Sequence, residues 1–195
     1  GMHGILIVTP YYNKPSQIGI LKHFESIKNT TELPIMAYNI PGRTGTLIEL
    51  ETIEKLIKDV GIHSIKDAVG NFDFSREELT RFKDDVFIYS GDDALTKNFI
   101  ENGAVGVVSV ASHLVGRQIK EMINLIFQNK KTEAEKIPQT LLPFIEAIFE
   151  EPSPGPVKYL LSESWENVGK PLLPMTDVSP ELAKKLNDQY SKINI

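Results

Sequence analysis

Five short apolar stretches recur along the chain: Ile5–Thr9, Pro34–Asn39, Ile62–Asp67, Val86–Ser90 and Val105–Val110. In each, apolar residues stand side by side rather than alternating with polar ones. That is the pattern of strands buried on both faces, as in a parallel sheet. Helical spacing fills the gaps, with Ile20, Phe24 and Ile27 after the first stretch and Leu50, Ile53, Leu56 and Ile57 after the second. Thr46 with Glu49, and Ser75 with Glu78, have the capping-box spacing and predict helix starts. Beyond Val110 the pattern becomes wholly helical. Leu114 to Phe127 reads as one long helix, and Thr132 with Glu135 starts another. Pro152, Pro154 and Pro156 punctuate a connector, Val157 to Trp165 reads as a helix, and Ser179-Pro180 reads as a cap followed by proline at the first helical position.

Strand alternating with helix predicts repeated βα units and a parallel α/β sheet. Two architectures accommodate five such units: an open doubly wound sheet, or a (β/α)8 barrel lacking three of its units. A dinucleotide-binding sheet usually shows G-x-G-x-x-G after a strand, and the sequence contains none. Periodicity alone does not choose between the two. The first apolar stretch follows Gly1-Met2 almost at once, so the sequence reads as one whose beginning lies elsewhere. The expected organisation is a partial barrel over residues 1–130 and a helical extension over 131–195.

Composition narrows the classes. The 195 residues carry 21 Lys and Arg against 26 Asp and Glu, a net charge of −5, and so offer no basic excess for a phosphate backbone. Nucleic acid is not an expected partner. With 41% apolar and 24% charged residues the chain has a globular balance. It has no cysteine, which excludes a disulfide scaffold, thiolate metal sites and a cysteine nucleophile, and which fits a cytoplasmic location. No apolar run reaches the roughly 18–20 residues that span a bilayer, so no membrane partner is expected.

The candidate chemistry gathers at strand ends, where parallel α/β folds collect reactive groups. Lys66 stands near the end of the third stretch. Burial there would favour its neutral amine, a nucleophile toward carbonyls; otherwise it is a strand-end lysine reaching for water. Tyr38 and Asn39 end the second stretch, and Tyr38 could relay a proton, or simply pack. Arg43 follows in the turn and could clamp a carboxylate through two parallel hydrogen bonds, or stay solvated. Tyr11 and Tyr12 follow the first stretch, as an aromatic lid, a subunit contact or a packed loop. Asp92 and Asp93 follow the fourth; they read better as a helix cap than as metal ligands. His3, His23, His63 and His113 show no ligand spacing, and no metal or cofactor is expected.

Taken together, Val8 to Ser16, Tyr38 to Gly45, Ile65 to Ala68, Ser90 to Asp93, Gly106 to Val110 and Glu151 to Lys158 resemble the dihydrodipicolinate synthase family, in its order and spacing from the fourth barrel strand onward. The resemblance implies a partial TIM (β/α)8 barrel of about five units, the first three missing, with a C-terminal α-helical extension. It implies a lyase that condenses pyruvate with L-aspartate 4-semialdehyde on the diaminopimelate route to lysine, and a homo-oligomer. By the same resemblance Lys66 is the Schiff-base lysine, Tyr38 the relay tyrosine, and Tyr12 the tyrosine that reaches a neighbouring subunit's site. Arg43 binds the semialdehyde carboxylate, Gly91 and the Val108 backbone line the pyruvate pocket, and Tyr11 is a remnant of an inhibitor site. Asp67 stands where many relatives carry Glu. The missing units would hold the threonines of the proton relay. An inactive, oligomerising remnant is therefore the alternative, alongside a related pyruvate aldolase such as N-acetylneuraminate lyase.

Overall fold

The computed structural model describes residues 1–193, and the chain falls into two compact units, Gly1–Val108 and Ser109–Ile195. This division lies ahead of the expected one at residue 130. The helix that follows the last strand packs with the C-terminal helices, and so it joins their unit.

The first unit is a five-stranded parallel sheet of β1 (Ile5–Val8), β2 (Ile35–Asn39), β3 (Ser64–Asp67), β4 (Phe87–Ser90) and β5 (Gly106–Val107), ordered β1-β2-β3-β4-β5. A doubly wound sheet reverses its strand order at a switch point. Here every strand lies beside its neighbour in sequence, which is barrel winding. The connections are α1 (Gln17–Lys28), the single turn α2 (Pro41–Thr44), α3 (Leu50–Lys55) running into a π-helical turn at Leu56–Val60, α4 (Phe72–Phe82) and α5 (Thr96–Glu101).

The helix starts differ from those the sequence predicts. Ser16 caps α1, its Oγ accepting from the Gly19 N–H at 3.2 Å. Glu49 stands at the start of α3 without a side-chain cap, and its N–H donates to Gln17 Oε1 at 3.2 Å, so the Thr46–Glu49 box does not form. Asn71 caps α4 by accepting from the N–H groups of Asp73 and Phe74. Ser75 and Glu78 lie inside that helix and are buried. Their three-residue spacing reflects a shared helix face, not a cap.

The strands also depart from burial on both faces. β2 alternates, with Ile35, Ala37 and Asn39 buried and Met36 and Tyr38 half-buried. Ile65 and Asp67 on β3, and Ile88 and Ser90 on β4, continue the buried rows. On the opposite face Leu6 is 48% and Phe87 51% exposed. The five strands do not close upon themselves, so the residues facing the would-be barrel axis are only partly covered.

The second unit is helical: α6 (Ser112–Phe127), kinked at Val115, α7 (Lys131–Ala134), α8 (Lys136–Ile148), α9 (Gly155–Ser164) and α10 (Pro180–Ser191). Thr132 falls within α7, and α8 begins without a side-chain cap, so that expected box is also absent. The Ser179-Pro180 start holds. Ser179 Oγ accepts from the Leu182 N–H at 3.2 Å and donates to Glu151 at 2.5 Å. Leu141, Phe144, Ile148, Leu160 and Leu186 are buried, and the rings of Phe144 and Tyr190 meet at 5.6 Å.

Candidate active site

Register assembles the site. Val8, Tyr38, Lys66, Tyr89 and Gly106 are successive partners across the five strands, so their side-chain positions lie in one row on the partly open face. Lys66 is half-buried, and its Nζ stands 3.9 Å from the centroid of the Tyr38 ring. An ammonium over a tyrosine face gains about 0.5–1 kcal/mol from the ring quadrupole. The strand tip therefore holds its amine over an aromatic surface instead of releasing it to water.

Gly91 shapes the floor. A Cβ there would meet the Asp67 carbonyl oxygen at 2.9 Å and Lys66 Cε at 3.0 Å. Its N–H donates to that carbonyl at 2.6 Å. Only a residue without a side chain lets the stem of Lys66 pass so close. The Val108 N–H donates to the Ser90 carbonyl at 2.8 Å, which brings the end of β5 beside the same strand tip.

The turn bearing Arg43 is fastened from below. Asn39 is fully buried, its Nδ2 donating to the Ile48 carbonyl and its Oδ1 accepting from the Ile48 N–H, both at 3.0 Å. Gln17 Nε2 donates to the Leu47 carbonyl at 2.8 Å, beside the Glu49 bond already described. Thr44 Oγ1 adds contacts to the Ile40 and Thr46 carbonyls at 3.1 and 3.0 Å. Gly45 takes a left-handed φ of 72°, and the stem of Lys14 lies against it. Arg43 itself is exposed on α2.

Tyr11 and Tyr12 project outward from the loop after β1, Tyr12 being 92% exposed. Tyr12 and Lys14 hold left-handed φ values of 67° and 46°, a conformation that costs a non-glycine residue about 1 kcal/mol. Among the sequence candidates, the structure thus gathers Lys66, Tyr38 and Gly91 with the Val108 backbone alongside; Arg43 stands on the adjoining turn and the two tyrosines stand out in solvent.

Behind β3 lies a group the sequence reading did not use. Asp67 points to the buried face, where Oδ2 accepts from Ser75 Oγ at 2.5 Å and Oδ1 from the Val69 N–H at 2.7 Å. Burial pushes the Asp67 carboxyl above its usual range, against the pull of those two bonds. Glu78 is fully buried and lies well above its ordinary value, first through burial and then through the Asp67 charge and the hydrogen bond to it. A readable signal existed: Glu78 sits on the apolar stripe that Leu79 and Phe82 continue. Tyr89 was missed too, although it stands one residue before a strand's last position, as Lys66 does.

Asp92 serves as a cap, its Oδ1 accepting from the Ala94 and Leu95 N–H groups at 2.9 and 3.1 Å. Among the described residues no group of three His, Cys, Asp or Glu side chains could hold a metal ion, and no helix is long and apolar enough to cross a membrane.

A barrel-wound βα sheet with an amine, a phenol and a guanidinium at the C-terminal ends of its strands defines a class of α/β protein with a strand-tip lysine. The family model described as the dihydrodipicolinate synthetase family matches residues 1–193, and the chain belongs to that family. The 4-hydroxy-tetrahydrodipicolinate synthase of Listeria monocytogenes serovar 1/2a is 42% identical over 186 residues, covering 95% of this chain and 64% of that protein. The chain therefore spans just under two thirds of that relative's length. A crystal structure of a Bacillus anthracis dihydrodipicolinate synthase matches with a TM-score of 0.95 at 38% identity, covering 100% of this chain and 67% of that one. The chloride-inhibited Acinetobacter baumannii enzyme, solved in complex with pyruvate, matches with a TM-score of 0.94 at 29% identity over 98% of this chain and 66% of that one.

Proposed function

We propose that this chain carries out lysine-dependent lyase chemistry, condensing pyruvate with L-aspartate 4-semialdehyde in lysine biosynthesis. The observation that carries this reading is the Lys66 amine, poised 3.9 Å over the Tyr38 ring at the strand tip. The neutral amine attacks the keto carbon of pyruvate, and loss of water leaves an iminium. The ring face that attracts an ammonium also attracts the iminium, so Tyr38 stabilises the intermediate where it forms. The iminium draws electrons from the pyruvate methyl group, which loses a proton through the Tyr38 hydroxyl and becomes an enamine. Its carbon attacks the aldehyde carbon, and the aldehyde oxygen takes up a proton to become a hydroxyl. The amino group of the former semialdehyde then displaces Lys66, closing a ring and freeing the amine.

In this reading Arg43 grips the semialdehyde carboxylate and thereby selects this acceptor over a neutral sugar aldehyde. Gly91 and the Val108 backbone leave room for pyruvate beside Lys66. Tyr12 serves a second copy in this reading, and Tyr11 faces an inhibitor, which their exposure permits. Lysine supplies the electron sink, so the reaction calls for no cofactor. The likeness to an enzyme solved with pyruvate supports the reading.

The test is reduction with borohydride in the presence of pyruvate. The expected result is a mass increase of one pyruvyl unit on the peptide bearing Lys66, lost in Lys66→Ala. An unchanged intact mass, under conditions that label a longer relative, rejects the reading.

The exposed Leu6 and Phe87 favour a second reading, in which the chain acts by associating with copies of itself or its relatives. Mixing it with a longer family member and measuring mass and turnover separates the two: a monomer with its own turnover rejects the second.

A further inference from the structure

Glu78 has no counterpart in the chemistry above, yet it is fully buried on α4, and neither of its carboxyl oxygens meets an N–H or hydroxyl donor. A carboxylate in that position would be charged, dry and unpaired, which is strongly unfavourable. The neighbouring carboxyl is Asp67, whose two oxygens already accept from Ser75 Oγ and the Val69 N–H. A proton resting on Glu78 resolves both problems: it removes one charge and supplies Asp67 with a further donor, as in carboxyl pairs that share a proton.

The consequence reaches the reactive face through the backbone. The Asp67 carbonyl accepts from the Gly91 N–H at 2.6 Å, and Gly91 in turn lies against Lys66 Cε. We infer that Glu78 is a positioning residue: as the protonated member of a buried acid–carboxylate pair with Asp67, it anchors the tip of β3 to α4 and holds the Lys66 stem in its groove along Gly91. The inference rests on the Lys66 reading for its catalytic consequence, but the pair itself does not.

Among the described residues, no basic side chain figures among the influences on Asp67 or Glu78. Asp92, in the loop after β4, adds a further negative charge near Asp67. On α5, Lys97 and Glu101 pair with each other at 3.1 Å. On α4 itself Arg81 reaches outward toward Glu51, Glu54 and Glu77, and Arg76 pairs with Asp73. β4 carries no charged side chain.

The experiment uses the full 195-residue chain, Glu78→Gln and Glu78→Leu. Glutamine keeps a donor and cannot ionise; leucine fills the space without one. The Glu78 carboxyl is raised above its ordinary 4.5, so the stability it contributes is full below that value and is lost as pH rises through the raised one. The urea midpoint of the native chain should fall as pH rises above that ordinary value, and Glu78→Gln should flatten that fall. At neutral pH Glu78→Gln should form the borohydride-trapped pyruvate adduct at the native rate. Glu78→Leu should form it about tenfold more slowly even where its urea midpoint is not lowered, because a displaced nucleophile loses rate without loss of fold. Amide exchange at Gly91 provides a readout that needs no pyruvate: faster in Glu78→Leu, unchanged in Glu78→Gln. If the native chain forms no adduct, the Lys66 reading fails and the exchange result alone decides this one. Equal Gly91 exchange in all three chains, a Glu78→Leu adduct rate equal to the native rate, or a native pH profile shared by Glu78→Gln would overturn the inference.

Discussion

Gly91 has no room for a methyl group. The Ala68 Cβ, the Asp67 carbonyl and Lys66 Cε all crowd the place a Cβ would occupy, at 2.9 to 3.0 Å. The carbonyl is backbone and cannot step aside. Gly91→Ala should therefore destabilise the chain by about 2 kcal/mol in urea unfolding, and should slow pyruvate trapping as the Lys66 stem is pushed away. Asn39 makes a different demand. It closes two buried bonds to one backbone residue, Ile48. Asn39→Ala should cost about 2–3 kcal/mol and loosen the turn that carries Arg43, seen as faster amide exchange at Ile48. At this scale the sequence drew notice to Lys66 and Tyr38, polar residues near the ends of apolar strands, but it left a solvated lysine and a packing tyrosine open, because their adjacency is a matter of register. Tyr89 drew none, because an aromatic residue in a strand reads as packing until register sets it beside a lysine.

Helix α4 shows how a local signature can point to the wrong contact. A serine with glutamate three residues on fits a cap, but the same spacing places both side chains on one helical face. Ser75 and Glu78 use the second option and turn toward Asp67, while Asn71 caps the helix. The two arrangements predict opposite mutational costs. Asn71→Ala should lose about 1 kcal/mol, an ordinary cap penalty, measured by thermal unfolding. Its effect should not change with pH, whereas that of Glu78→Gln should. The places of the five strands were legible in the apolar runs and their turn residues, but their lengths and one-sided burial were not: β5 shrinks to Gly106–Val107. What periodicity left open was sheet order, a tertiary property that only the pairing of β1 through β5 supplies.

For the sheet unit as a whole, the face that carries Lys66 also carries exposed apolar side chains and is half open. Leu6 and Phe87 should draw copies together, because large apolar side chains left exposed favour contact. Sedimentation of the chain at micromolar concentration should show association, and Leu6→Ser combined with Phe87→Ser should weaken it with little change in the urea midpoint. The strictly sequential strand order carries one more implication. Every ladder joins strands adjacent in the chain, so each closes a modest loop, and the entropy lost at each closure is small. Such a sheet can grow one strand at a time as it leaves the ribosome, each new hairpin-free crossover finding its mate already waiting. Its assembly needs no meeting of distant ends.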